Sequence, residues 1–260
     1  MIIVTVDGEL KGKVAIVTAA GRGLGRAIAM ELASKGCAVL VNSITEENST
    51  RTAFEINKMG GIAIHLAGDV GDPNFCRYLV EEANSKLGSP HILVNNAGIT
   101  RIHPAAEFPE EDWKRTLDVN LNSAFYCSKA VAQVMLKRGY GRIINIASAA
   151  GVIPFPMRLA YCTTKAALIM MTKAMAIEWA KYGITVNAVA PGWLETEGVK
   201  ERIEKGYYSK EHILKRSPMG RMGLPSEVAK LVCFIASENS SYITGETFII
   251  DGGWTSYGYF

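Results

Sequence analysis

The chain has 260 residues, 48% hydrophobic and 20% charged, enough apolar material for a full core, which excludes a disordered chain, a fibrous one and a disulfide-stapled miniprotein. Its 28 basic and 25 acidic residues leave a formal charge of +3 and are interspersed. There is no nucleic-acid or membrane-surface footprint, and the expected partners are small molecules.

No linker rich in Pro, Gly or Ser divides the sequence, which reads as one domain over residues 1–260. Residues 1–7 lack a basic leader, a long apolar stretch and a cleavage site, so no signal peptide is expected. No segment has the length of a membrane span. Cys37, Cys76, Cys127, Cys162 and Cys233 contain no CxxC pair and suit reduced thiols in the cytoplasm.

In chain order, short β-branched runs at 14–18, 39–42, 62–66, 92–95, 142–147, 184–190 and 247–251 predict seven strands. Helical patterns fall between them at 23–35, 46–58, 73–87, 110–138 in two pieces, 159–181 and 225–236. Such alternation predicts right-handed crossovers and an α/β fold: a Rossmann-type, doubly wound parallel seven-stranded sheet with helices on both faces. The near-continuous apolar strands agree with burial on both faces.

In strand order 3-2-1-4-5-6 a crevice opens at the carboxyl ends of strands 1 and 4. Glycines cluster there, in Thr18-Ala-Ala-Gly-Arg-Gly23-Leu24-Gly25 after strand 1 and Asn95-Asn96-Ala97-Gly98 after strand 4. Glycine admits close backbone approach, and the helix opening near Gly23 offers free N–H groups to a pyrophosphate.

Tyr161 and Lys165, four apart in one helix, share a face with Cβ atoms about 5–6 Å apart. An ammonium there favours the phenolate and draws tyrosine from about 10 toward neutrality. Ser148 follows strand 5 at the same edge, where its hydroxyl can donate to a substrate oxygen. Asn120 sits in a helical stretch where its propensity is poor, so it is expected to break the helix and orient a water or a backbone group. Taken singly, each has a plainer reading: an exposed helix pair, a cap hydroxyl, a buried or surface amide.

Together these residues resemble the short-chain dehydrogenase/reductase superfamily in its single-domain form. The resemblance is carried by Thr18, Gly23 and Gly25, Asp69-Val70, Asn95 to Gly98, Asn120, Ser148 with Tyr161 and Lys165, Pro191-Gly192 with Thr196, and Asp251-Gly252-Gly253. It implies hydride transfer between a nicotinamide cofactor and a ketone or secondary alcohol. Tyr161 would be the general acid. Lys165 would lower its pKa and hold the ribose, Ser148 would polarise the carbonyl, and Asn120 would hold a water linking Lys165 to solvent. The resemblance also implies that Asp69 and Val70 meet the adenine and that Asn96 and Ala97 line the adenosine. Pro191, Gly192 and Thr196 would contact the nicotinamide, with Leu24 and Gly98 among the cofactor contacts. One position departs from the pattern: its first glycine is Ala19 here.

An acid at the end of strand 2 would repel a 2′-phosphate. Here Asn42-Ser43 stand there and Arg22 precedes Gly23, so NADP is the preferred cofactor, with NAD left open by Glu46 and Glu47. Segment 193–222 falls where relatives carry a substrate lid. Ile153 and Phe155 are expected at the substrate mouth with Trp193, and Cys162 buried beside Tyr161. Helices at about 121–138 and 159–181 resemble a pairing surface. A homotetramer or homodimer is therefore expected, with Met170, Met171, Met175 and Trp179 on that face and the aromatic end (Trp254, Tyr257, Tyr259, Phe260) across a two-fold interface.

A sugar, polyol or sugar acid is the leading substrate class. A 3-oxoacyl-carrier-protein or general carbonyl reductase is the alternative, disfavoured because Gln133 and Ile177 stand where carrier-docking arginines would. A non-catalytic dinucleotide sensor need not keep Asn120, Ser148, Tyr161 and Lys165 together, and an extended-family epimerase or dehydratase would append a larger domain. His65, His91, His103 and His212 have no metal-ligand spacing, so no metal is expected.

Overall fold

The computed structural model describes residues 9–258. The expectations for residues 1–7 and for Tyr259 and Phe260 lie outside the described residues. The strands are β1 (Val14–Val17), β2 (Ala38–Ser43), β3 (Ile62–Ala67), β4 (Ile92–Asn95), β5 (Gly141–Ile146), β6 (Ile184–Pro191) and β7 (Thr247–Ile250). They form one sheet, ordered β3-β2-β1-β4-β5-β6-β7, with every neighbouring pair parallel. The central strands β1, β4, β5 and β6 are buried along their whole length, whereas the edge strands β3 and β7 are only partly so. This is the expected consequence of covering both faces.

The helices are α1 (Gly23–Ser34), α2 (Glu46–Lys58), α3 (Pro73–Lys86), α4 (Glu110–Leu117), α5 (Ser123–Arg138), α6 (Leu159–Trp179), α7 (Glu197–Glu204), α8 (Lys210–Arg216) and α9 (Pro225–Ala236). Local chemistry sets several ends. Asp72 caps α3, accepting from Asn74 N–H with Pro73 as the first helical residue, and Gly139 closes α5 in the left-handed region, a conformation glycine adopts without a Cβ penalty. One apolar core packs α1 and α9 against the sheet, with Ile28, Leu32, Val228 and Val232 at its centre. A second packs α3, α5 and α6 against the other face, with Leu79, Val131 and Met175.

Against the expectation from its propensity, Asn120 does not break the helical stretch over 110–138, which stays helical and changes its winding there. α4 and α5 are separated by a π-helical turn, Asp118–Asn122, with Asn120 buried in it. Met175 belongs to the core, and Met171 and Trp179 pack against it, so of the methionines and tryptophan expected on a pairing face only Met170 is openly exposed. Trp254 is likewise inside the chain. It joins Ile213 and Met222 in a small cluster with Trp193 and Phe155, because the turn after β7 brings it back over the segment that follows β6. Among the described residues, no helix is long and apolar enough to cross a membrane.

Candidate active site

The glycine-rich loops meet where β1 is flanked by β2 and β4, and side chains stitch them together. Thr18 Oγ1 accepts from the N–H groups of Asn96 (2.9 Å) and Ala97 (3.1 Å), while Asn96 Nδ2 donates to the carbonyls of Thr18 (2.9 Å) and Ala19 (3.2 Å). Gly25 is irreplaceable in this packing: a Cβ there would lie 2.4 Å from both Ala19 O and Asn96 Nδ2. Ala19, standing in for a glycine, is held at φ 50°, a left-handed conformation that costs an L-residue about 1–2 kcal/mol.

α6 carries Tyr161 and Lys165. Its seating is fixed by a buried polar ladder from the sheet, in which Asn95 Nδ2 donates to Asn145 Oδ1 (2.8 Å) and Asn145 Nδ2 to Thr172 Oγ1 (2.9 Å). Thr172 lies two turns below Lys165 on the same face, so the ladder sets the register of the helix. Nothing in local periodicity announced it, although two asparagines in apolar strands are a signal in themselves.

Lys165 is buried, and its Nζ donates to the Ile146 carbonyl at 2.6 Å. The absence of a Cβ on Gly98 makes room for it, since one there would sit 3.4 Å from Lys165 Nζ and 3.7 Å from Asn120 Oδ1. Burial draws the ammonium's pKa down to about 8. Tyr161 departs from expectation. Its pKa is raised, because dehydration of the phenol outweighs the opposing hydrogen bond with Ser148 and the nearby charge of Arg202. The spacing predicted depression by Lys165, but Lys165 Nζ lies 5.8 Å from the Tyr161 ring centroid and is spent on Ile146. Ser148 caps a short 3-10 turn, accepting from Ala150 N–H at 3.1 Å, which leaves its own proton to donate. Asn120 clamps the exit from β4: Oδ1 accepts from Ile99 N–H (2.7 Å), and Nδ2 donates to Ile99 O (2.9 Å) and Thr164 Oγ1 (3.2 Å).

A cavity of about 300 Å³ joins these groups. Ser148, Tyr161 and Lys165 line it together with Leu24, Asn96, Gly98, Pro191, Gly192 and Thr196. Phe155, Trp193 and Tyr208 form an aromatic wall, and Arg158, over the Tyr208 ring, and Arg202 line the cavity as well. The roles of both arginines escaped sequence reading, for they lie 44 positions apart and only the fold joins them. Ile153 does not line this cavity; it packs into the Ile213, Met222 and Trp254 cluster instead. Cys162 is half-buried, and its Sγ accepts from Phe155 N–H at 3.4 Å, pinning the mouth loop.

The crevice suits a dinucleotide. Arg22, at the head of α1, makes no capping bond through its side chain, leaving the first-turn N–H groups without a side-chain partner, and Thr196 approaches the Gly23 turn closely, as an anion site at a helix start requires. Asn42 is a correction. It is fully buried, with Nδ2 donating to Leu66 O and Gly68 O and Oδ1 accepting from Ala19 N–H. It braces the loop from behind, with its amide turned away from the crevice. Ser43 is buried against Gly21. Asp69 pairs with Arg115 at 2.7 Å, and Val70 belongs to the core beneath.

Residues 18–255 match the family model described as Enoyl-(Acyl carrier protein) reductase. The chain is 39% identical over 250 residues to 2-dehydro-3-deoxy-D-gluconate 5-dehydrogenase of Dickeya dadantii, covering 95% of this chain and 96% of that protein. It is 40% identical over 245 residues to 3-oxoacyl-[acyl-carrier-protein] reductase of Escherichia coli, covering 94% and 98%. The crystal structure of a gluconate 5-dehydrogenase from Burkholderia cenocepacia J2315, in complex with NADP and tartrate, superposes with a TM-score of 0.91 at 38% identity, covering 97% of this chain and 99% of that one. The chain belongs to the short-chain dehydrogenase/reductase superfamily and is an oxidoreductase of the CH–OH/carbonyl class.

Proposed function

We propose that the chain interconverts a ketone and a secondary alcohol on a sugar, polyol or sugar acid, with NADP as its preferred cofactor. The observation that carries this reading is one cavity that holds Ser148, Tyr161 and Lys165 beside Gly98 and Thr196. Leu24, Gly98, Pro191, Gly192 and Thr196 would hold the nicotinamide half, and Asp69, Val70, Asn96 and Ala97 the adenosine half. The bound nicotinamide supplies the two-electron chemistry. In reduction, Tyr161 donates its proton to the carbonyl oxygen as negative charge develops there. Ser148 donates a hydrogen bond to the same oxygen, a contact that strengthens toward the transition state. Lys165 places positive charge behind the tyrosine, and Asn120 positions it by holding Ile99 and hence Gly98. The raised phenol pKa keeps Tyr161 protonated as the acid this step requires.

The NADP preference rests on Arg22 and on the absence of an acid at Ser43, and the NADP complex of the related gluconate dehydrogenase supports it. The sugar-acid branch gains support from the named relatives, and from Gln133 and Ile177, which stand exposed and neutral on α5 and α6. Segment 193–222 acts as a lid, for α7 buries no residue fully and α8 only Ile213. Exposed Met170 and Ile177 on α6 and Phe125 on α5 would serve pairing of copies. Unpaired thiols at all five cysteines suit a cytoplasmic setting.

A panel of keto sugars, keto acids and simple ketones, assayed separately with NADPH and NADH on wild type and Tyr161→Phe, tests the reading. Turnover by wild type with a loss of about 10²–10⁴-fold in the variant is expected. Activity surviving in Tyr161→Phe overturns the mechanism, and tight NADPH binding without turnover of any ketone favours a sensing module.

A further inference from the structure

Building on that ketone-reducing reading, we infer that Arg158 and Arg202 form a carboxylate clamp, so the substrate is a small hydroxylated keto acid and not a neutral ketone. Both guanidinium side chains line the cavity that holds Ser148 and Tyr161. Arg158 precedes Tyr161 by three residues at the head of α6, while Arg202 comes from the lid helix α7. Arg158 lies over the Tyr208 ring at 4.8 Å and donates to the Pro156 carbonyl at 3.0 Å. Neither arginine has an acidic partner among the described residues, although six other arginines do, and no Asp or Glu lines the cavity.

Those six are paired with Glu201, Glu55, Asp112, Asp69, Glu238 and Glu227. A half-buried guanidinium left without a counter-ion is costly unless a ligand supplies one. Its planar fork matches a carboxylate. Arg158, Arg202 and Tyr161 line the same cavity of about 300 Å³, which puts the clamp within a small molecule's length of the reacting carbonyl. Phe155, Trp193 and Tyr208, packed ring against ring, give the cavity an apolar lining for a short carbon skeleton. Because one arginine belongs to the body and the other to the lid, a bound carboxylate would tie the lid shut.

The test compares 5-ketogluconate with sorbose, which carries CH₂OH in place of the carboxylate, using wild type, Arg158→Gln/Arg202→Gln and Arg158→Lys/Arg202→Lys. The expected kcat/KM preference of wild type for the anion is roughly 10- to 100-fold, the worth of charge-assisted hydrogen bonds. It collapses toward unity in the glutamine variant through KM and survives in part in the lysine variant, with circular dichroism reporting the fold. A wild-type ratio at or below one overturns the clamp. So does an unchanged ratio in a glutamine variant whose NADPH affinity has fallen, which would assign the arginines to the cofactor. Should keto acids that are not sugars be reduced with the same arginine dependence, the clamp stands and the sugar reading fails. Reduction of cyclohexanone alone sinks both. If nothing turns over, calorimetry with gluconate and sorbitol decides: gluconate binding that the glutamine variant loses supports the clamp, and equal binding of the two overturns it.

Discussion

Lys165 and Tyr161 share a face of α6, yet the Lys165 ammonium donates to the Ile146 carbonyl at 2.6 Å and lies 5.8 Å from the Tyr161 ring centroid. Burial acts on the two groups in opposite directions, lowering the lysine to about 8 and raising the tyrosine. In each case the neutral form is favoured.

A lysine whose folded pKa of about 8 lies below its unfolded value of 10.5 makes the unfolded chain bind the extra proton between those values. Stability from this group therefore rises with pH across about 8 to 10.5, and at pH 7 the charged lysine costs up to about 3 kcal/mol. Lys165→Met is expected to lose activity yet resist urea better at pH 7, with the advantage shrinking by pH 10. Tyr161 is common to both proteins, so its own titration cancels in the difference. Equal stability at both pH values would show that the bond to Ile146 offsets burial.

Ala19→Gly should stabilise the protein. The left-handed φ of 50° costs alanine about 1–2 kcal/mol, and glycine's greater unfolded-state entropy returns part of that. A net gain of about 1 kcal/mol, seen as a higher midpoint in urea with unchanged slope, is expected. A lower midpoint would show that the turn is relaxed.

Gly25→Ala forces a methyl group to within 2.4 Å of Ala19 O and Asn96 Nδ2. The loop must move, at about 1–3 kcal/mol by analogy with overpacking. Both the melting temperature and the affinity for NADPH should fall, as read by differential scanning calorimetry and by titration of NADPH fluorescence. Retained affinity would separate this turn from the cofactor.

Arg22 Nη1 reaches Glu201 only at 3.9 Å, with both side chains exposed, so the pair contributes about 0–1 kcal/mol and leaves the guanidinium free to turn. Arg22→Ala should raise the Kd for NADPH roughly tenfold while leaving NADH nearly unchanged, and barely alter stability. Equal weakening of both cofactors would remove the case for a 2′-phosphate contact.

Much of the fold was legible in the sequence because it rests on local periodicity. Apolar runs with no polar face foretold strands covered on both sides, and Asn120 marked an irregular point in the helix, where the structure has a π-helical turn instead of a break. Gly98, Ser148, Tyr161 and Lys165 converge on one cavity because covalent spacing and strand order carry them to one edge of a parallel sheet. What spacing cannot carry is direction and dehydration. The sequence put Asn42 at the crevice; the backbone carbonyls of Leu66 and Gly68 turn it inward. It put Ile153 at the mouth, but the cluster of Ile213, Met222 and Trp254 claims it. It paired Lys165 with Tyr161, though a carbonyl from β5 holds the ammonium and burial governs both pKa values. Arg158 and Arg202 meet at one cavity only because segment 193–222 folds back to the head of α6. Local order follows from which residues are neighbours in the chain, but which charges share a dry space is decided by packing between segments far apart in it.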